Sequence, residues 1–520
     1  MNSTTVSPSS AKGRKKGKFD IKDWLVPAGG SDRWLMGAVI VLMIFGSMMV
    51  LSSKQGTTVG MTRSYVQEIL KQIGFVVVSW GAMVFISRKF DWMKLFNAKT
   101  QIFLCLFYIL LLFAVQLVGI DVNGSKAWLR LGPLTIQPSE FGKPLLILLL
   151  ASSARNAGKK HSEPIPFGQR FFLPLFLLLI SVFFIGGAQK DFGSLIITLG
   201  IGLVGLLATA DADLTKVQRY IVIFLFVVLL LLLVGIYFSD WFVTLFRNVP
   251  LLRHIAVRIE NMKNPYINIH SEGYQPANAL YSLGDAGFFG RGFGGSVRKY
   301  GFLTQAESDY ILAIVIEEFG FFGLLLITVC YCILLWRLLH WALATAKPQF
   351  KVMLLCSAAY FLLHFFINIG GVSTLIPMTG VPLLFISAGG SALLAVGIVL
   401  GLDFYAISQI QIEQEIEAQK EAEQAALAAR ALEDDLQLQA MIGMGETAGQ
   451  EFAYTEAERT SGVLHARSVR RSVTHDSPAA KTGTSRGRNA GTRSRKKRTR
   501  QAGRNLCSAR DGEQRSRSAI

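Results

Sequence analysis

Asp309 stands in Gln305-Ala306-Glu307-Ser308-Asp309-Tyr310, where a charged, glycine-rich stretch gives way to a long apolar run. A carboxylate at such a boundary stays solvated enough to ionise while facing a cleft between helices, the setting of a general base. A plain helix cap at Ser308 or Asp309 is the simpler reading of the same residues. Upstream, residues 239–307 carry Arg247, Arg253, Arg258, Lys263, Arg291, Arg298 and Lys299. An anionic ligand accounts for that much positive charge. Gly284, Gly287, Gly290, Gly292, Gly294 and Gly295 follow Gly273-Tyr274-Gln275. Such a glycine run beside Arg291 and Arg298 lets backbone N–H groups approach phosphate oxygens, and is also what a re-entrant loop contains.

Other charges fall inside apolar sequence, where each costs roughly 2.5–3.5 kcal/mol on insertion scales and needs a reason. Glu140 and Lys143 stand three apart in Gln137-Pro138-Ser139-Glu140-Phe141-Gly142-Lys143, on one helix face, where a neutralising buried ion pair is the expectation. Asp191 opens a span and is expected to cap it. Glu317 and Glu318 lie roughly 12–14 Å along the helix from Asp309 at 1.5 Å per residue. Adjacent acids do not share a face, so at most one points at the cavity of Asp309, and the other finds a backbone or lysine partner.

The elements that must position these groups are membrane spans. The chain is 51% apolar and 17% charged with a net charge of +18, and its mean hydropathy is +0.40. That excludes an ordinary cytoplasmic enzyme, a secreted disulfide scaffold and a disordered protein. Blocks of about 20 apolar residues, the length that crosses a bilayer, fall near 34–52, 70–87, 102–119, 138–153, 171–188, 192–209, 219–238, 309–336, 351–370 and 381–403. The expected fold is an all-α polytopic membrane protein of about ten helices. A short turn at Gln189–Asp191 must reverse the chain.

Basic residues in alternate short loops (Arg88, Lys89, Lys94, Lys99; Arg155, Lys159, Lys160; Lys216, Arg219; Arg337, Lys347) place both termini in the cytoplasm and residues 239–307 outside. The outer loops 53–68, 120–137, 189–191 and 371–380 are read as sparser in positive charge. The predicted organisation is a basic cytoplasmic N-terminus over 1–32 with no cleavable signal, a membrane domain over 33–405, a polar cytoplasmic helix over 406–445 and a basic disordered tail over 446–520. Residues 461–520 hold sixteen Lys and Arg against three acids, which suits anionic lipid or an acidic partner. Without interleaved aromatics, nucleic acid is not expected. Cys105, Cys330, Cys332 and Cys356 lie in apolar stretches and Cys507 in the tail, so neither a disulfide framework nor metal-ligand spacing is predicted.

Taken in order, these residues resemble the SEDS family (shape, elongation, division and sporulation), which includes FtsW and RodA. The resemblance covers roughly residues 33–405. It rests on Asn123-Gly124 with Trp128 and Gly132; Gln137-Pro138-Ser139-Glu140 with Lys143; Gln189, Asp191 and Gly193; and Arg258 with Asn264-Pro265. It continues through Gly273-Tyr274-Gln275; Gly290 to Ser296; Asp309, Glu317-Glu318 and Gly320; Pro377 with Thr379-Gly380; and Ser387 with Gly389-Gly390-Ser391. It implies a ten-span SEDS fold in a bacterial cytoplasmic membrane and a glycosyltransferase polymerising lipid II at the outer face. It also implies a class B penicillin-binding protein and other division proteins as partners. The family's essential aspartate falls on Asp309. The likeness is nearer the division branch than the elongation branch.

On this reading Asp309 takes the proton from the acceptor sugar hydroxyl. Arg258 foremost, with Arg291, Arg298, Lys299 and the Gly273, Tyr274, Gln275 turn, holds the diphosphate. A divalent cation such as Mg or Mn fits that chemistry, and no residue is assigned to it. Glu140, Lys143, Asp191, Glu317 and Glu318 are structural charges. Departures occur at Leu303-Thr304-Gln305, Ser308, Lys190, Asn278-Ala279 and Ala388, and bear on the shape of the outer cavity. A transporter of the lipid-linked precursor would line its path with Glu140, Lys143, Asp191 and Glu317 near the midplane. A non-catalytic scaffold would depend on its tail rather than on Asp309.

Overall fold

The computed structural model describes residues 26–28, 32–57, 62–91, 94, 97–122, 125–132, 134–157, 167–209, 215–238, 241–248 and 253–469. Asn123-Gly124, Lys159, Lys160, the N-terminal basic cluster and the tail beyond 469 lie outside them. Two units are distinguished, residues 1–424 and 425–520.

Every predicted apolar block meets a helix: α1 Arg33–Thr57, α2 Thr62–Lys89, α3 Ala98–Val118, α4 Pro138–Ala157, α5 Phe167–Ser181, α6 Phe192–Ala208 and α7 Thr215–Phe238. Three short helices follow, α8 Trp241–Asn248, α9 Arg253–Lys263 and α10 Tyr274–Asp285, and then α11 Ile311–Ala344, α12 Pro348–Val372 and α13 Gly390–Val469. Among the described residues seven helices are long and apolar enough to cross a membrane; α4, α6 and α7 are not among them. The chain is a multi-pass membrane protein.

Local chemistry sets the helix starts. Asp32 caps α1, its Oδ1 accepting from Leu35 N at 3.1 Å, while its carboxylate also receives Arg337 from α11. Pro138 and Pro348 open α4 and α12, where a missing N–H is harmless. The buried core joins α4, α11, α12 and the first turns of α13, with α1 against α11 and α6 against α12. Exposed Leu, Phe and Val on α3, α5 and α7 face outward, as lipid-facing spans require.

Three features depart from the sequence reading. A small antiparallel sheet, β1 Ile120–Val122, β2 Ser125–Leu131 and β3 Leu134–Ile136, fills the loop before α4. Its β2–β3 turn uses Gly132 at φ 62. The block at 381–403 is helical only from Gly390. The last helix runs to Val469, past the expected boundary at 445; residues 446–469 contain no proline, and their Ala and Glu carry the helix through Gly449 and Gly462.

The block at 309–336 also differs, because Gly320 breaks α11 at φ 60, ψ −149. Backbone from the glycine-rich loop completes the break: Arg291 N and Gly292 N donate to Glu317 O and Glu318 O, both at 2.9 Å, and Phe321 N donates to Phe288 O at 3.0 Å. A Cβ at Gly320 would sit 2.5 Å from Gly290 N, so the two backbones meet where side chains do not fit. The glycine run therefore closes a helix end.

Candidate active site

Asp309 lies immediately before α11, half-buried, on the wall of a cavity of about 970 Å³. The cavity is bounded by the C-terminal end of α1, the N-terminal half of α2, the β2–β3 hairpin, the start of α6, the helices α9 and α10, and the segment 371–392. Its basic lining residues are Lys54, Lys71, Lys190 and Arg258; its acids are Glu68, Asp191, Glu272, Glu307 and Asp309. Phe75, Ile120, Trp128, Phe192 and Ile376 supply apolar wall.

The backbone of Asp309 is fixed from two sides. Asn368 Nδ2 donates to Asp309 O at 3.0 Å and to Val381 O at 2.8 Å. Ser387 Oγ donates to Ser308 O at 2.8 Å, and Ala388 N donates to Glu307 O at 2.7 Å. Gly380, at φ 77, passes so close that a Cβ there would lie 3.4 Å from Asp309 Oδ2. Burial pushes the Asp309 carboxyl up to about 6. Ser308 and the Arg258 guanidinium oppose that rise, and Asp191 and Glu307 add to it. A carboxylate poised there accepts a proton better than an ordinary aspartate and remains largely ionised near neutral pH.

The predicted site residues separate into groups. Arg258 comes from α9, lines the cavity and donates to Met378 O at 2.8 Å. Gln275 lines the cavity from α10, which Gly273 and Tyr274 open; a Cβ at Gly273 would lie 2.2 Å from Pro265 O. Gly273 and Tyr274 are not among the lining residues.

Arg291, Arg298 and Lys299 lie elsewhere. Arg298 bonds Glu317 at 3.2 Å and Asp285 at 2.6 Å, and Arg291 lies 3.6 Å from Asp285. The Arg298 guanidinium holds the exposed Asp285 carboxyl below its usual range. Lys299 is fully buried, 3.0 Å from Glu318, whose carboxylate also receives Ser52 Oγ at 2.6 Å. Glu317 further accepts Ser296 Oγ at 2.7 Å and Val297 N at 3.1 Å. Neither glutamate lines the cavity. These acids and cations brace the broken helix.

Asp191 does two things at once. Its Oδ1 accepts from Ser194 N at 3.1 Å as the cap of α6, and its Oδ2 accepts from Gln137 Nε2 at 2.8 Å on the cavity floor. A π-helical turn, Val182–Ala188, and Lys190 at φ 57 deliver it there. A proline could not adopt that φ at position 190. Ala388 also lines the cavity. Glu140 and Lys143 form the expected pair, 2.6 Å apart and buried, away from the cavity lining.

Sequence reading missed Lys54, Lys71, Glu68 and Glu272. Lys54 ends α1 and pairs with Glu307 at 2.8 Å across the cavity rim; Lys71 pairs with Glu68 at 2.8 Å. For Lys54, Glu68 and Lys71 the available signal was their place at the facing ends of the first two apolar blocks; Glu272 lies in the segment before α10, next to Gly273-Tyr274-Gln275. Among the described residues no group of three or more His, Cys, Asp or Glu is arranged to hold a metal ion.

Residues 33–411 match the family of cell cycle proteins that comprises FtsW, RodA and SpoVE. The chain is 30% identical over 365 residues to the probable peptidoglycan glycosyltransferase FtsW of Bacillus subtilis, covering 70% of this chain and 87% of that protein. It is 32% identical over 339 residues to the stage V sporulation protein E of the same organism, covering 64% and 86%. A chain from a solved peptidoglycan synthase complex superposes with a TM-score of 0.55 at 25% identity, over 73% of this chain and 98% of that one.

Proposed function

The chain belongs to the FtsW/RodA/SpoVE family of cell cycle proteins, and from that premise we propose that it is a peptidoglycan glycosyltransferase of cell division. It polymerises lipid II at the outer face of a bacterial cytoplasmic membrane, with both termini in the cytoplasm. The observation that carries the proposal is the Asp309 carboxylate on the wall of a wide cavity, raised by burial to about 6 and facing the Arg258 guanidinium.

In this reading Asp309 accepts the proton of the acceptor sugar hydroxyl as that oxygen attacks the anomeric carbon of the donor. The bond from that carbon to the diphosphate breaks, and its electron pair leaves on the phosphate oxygen. Arg258 meets the charge that develops there, with Lys190 and Lys71 also lining the cavity. Asn368, Ser387 and Ala388 hold the backbone carbonyls of Asp309, Ser308 and Glu307 respectively, so that the carboxylate need not reorganise. Arg291, Arg298 and Lys299 act on the fold of the broken helix. The partner is a class B penicillin-binding protein that cross-links the strands, together with other division proteins. Residues 33–405 form the catalytic membrane domain, and the basic tail binds anionic lipid.

The disposition of charge favours an enzyme over a transporter: Glu140 and Lys143 pair with each other inside the bundle and do not line the cavity, which gathers the other charges. Proteoliposomes holding lipid II in only one leaflet separate the two. The proposal expects glycan strands when lipid II faces the cavity side and none when it is confined to the opposite leaflet. Movement of intact lipid II without polymer would contradict it.

A further inference from the structure

Behind the cavity floor a second group of polar side chains lies deep among the helices. Lys143 Nζ donates to Glu140 Oε1 at 2.6 Å and lies 3.3 Å from His364 Nε2. Tyr360, one turn below His364 on α12, stacks edge-on against its imidazole with ring centroids 4.9 Å apart. Glu140, Lys143, Tyr360 and His364 are essentially inaccessible from outside. Glu140 Oε2, Ser139 Oγ and the Tyr360 hydroxyl nevertheless have no hydrogen-bond partner among the described residues, and neither has the side-chain amide of Gln189. The Gln137–Asp191 bond ties the Ser139–Glu140 turn to the Gln189 turn.

Buried polar atoms are almost always satisfied, and where protein does not satisfy them ordered water does. Orphan atoms scattered singly would each need a separate explanation. Here Glu140 Oε2 belongs to the ion pair itself, Ser139 is its chain neighbour, and Tyr360 packs on the His364 ring that lies against Lys143. A metal or monovalent cation is disfavoured, because the Lys143 ammonium already sits against the same carboxylate. Donor and acceptor hydroxyls around a carboxylate are the setting water occupies.

We propose that an internal water site lies between α4, α12 and the Gln189–Asp191 turn, held by Glu140 Oε2, Ser139 Oγ and the Tyr360 hydroxyl, and opening toward the cavity at Gln137 and Asp191. Water there supplies the hydrogen bonds that the Glu140–Lys143 pair lacks inside the bundle. It also extends the solvent of the outer cavity toward the membrane interior. The inference is independent of the reaction assigned to Asp309.

X-ray hydroxyl-radical labelling in isotopically labelled water, on the full-length protein in nanodiscs, tests it. Tyr331 is the internal control, because it is equally buried but its hydroxyl donates to Leu384 O at 2.8 Å. The expected result is label on Tyr360 at a rate many-fold above that on Tyr331. In parallel, Tyr360→Phe is expected to lower Tm, since a hydrated hydroxyl loses its bonds. In a dry site the same change removes an unsatisfied group and raises Tm. Equal protection of the two tyrosines, or a rise in Tm, overturns the proposal.

Discussion

Arg258 and Lys299 belong to the same cation-rich stretch between α7 and α11, yet they sit in opposite circumstances. Arg258, an exposed side chain, lines the cavity of Asp309 from α9 and donates to a single backbone carbonyl, Met378 O. Lys299 is fully buried and surrounded by Glu318, Ser52 and the Gly294 carbonyl. One cation faces a space large enough for a substrate, and the other fills the interior of a helix break. A run of basic residues in sequence thus divides into groups that line the cavity and groups that hold the fold, and the acids around them decide which.

The largest expected effect tests the structural half of this division. Lys299→Met leaves Glu318 buried without its cation, and truncating one partner of such a pair destabilises by about 3–5 kcal/mol. Thermal unfolding in detergent should show a large fall in Tm, with Lys299→Met/Glu318→Leu recovering much of it. Recovery of nothing would place the Lys299 effect outside the ion pair. Next comes Arg258→Ala, expected to lower the polymerisation rate about 10²–10³-fold, the usual scale for one preorganised charge donor, with Tm unchanged. A fall in Tm matching that of Lys299→Met would erase the distinction.

A pH profile is the third. The carboxyl of Asp309 is raised to about 6 and must be ionised to act as a base. The rate should therefore be flat above that value and fall roughly tenfold per unit as pH drops below it. A profile that bends only near the ordinary aspartate value would mean the carboxyl is not desolvated during turnover. The smallest effect belongs to Arg291→Ala. Its pairs with Asp285 and Glu317 are long, 3.6 and 3.8 Å, and its side chain is 38% exposed. Rate and Tm should both stay close to wild type.

The sequence shows the spans, because a run of about twenty apolar residues has few alternatives. It shows Asp309, Asp191 and the Glu140–Lys143 pair for a related reason: charge at the edge of apolar sequence is conspicuous. What it hides is long-range pairing. Lys54 meets Glu307 and Ser52 meets Glu318 across more than 250 residues of chain, and no local pattern announces either contact. The glycine run was legible as unusual backbone, but its task of closing a helix broken at Gly320 depends on α11 being in place. The hairpin over 120–136 was hidden by its shortness: two of its three strands have three residues each.

The most direct test of the account is polymerisation of lipid II by purified full-length protein carrying Asp309→Asn, beside wild type and Arg258→Ala, with the Tm of each recorded. The substitution keeps the size of the side chain and removes the base. The account predicts a Tm at or above that of wild type, since a desolvated carboxylate is lost, together with a rate reduced by about 10²–10⁴. Glycan strands formed at the wild-type rate by a folded Asp309→Asn protein would contradict it.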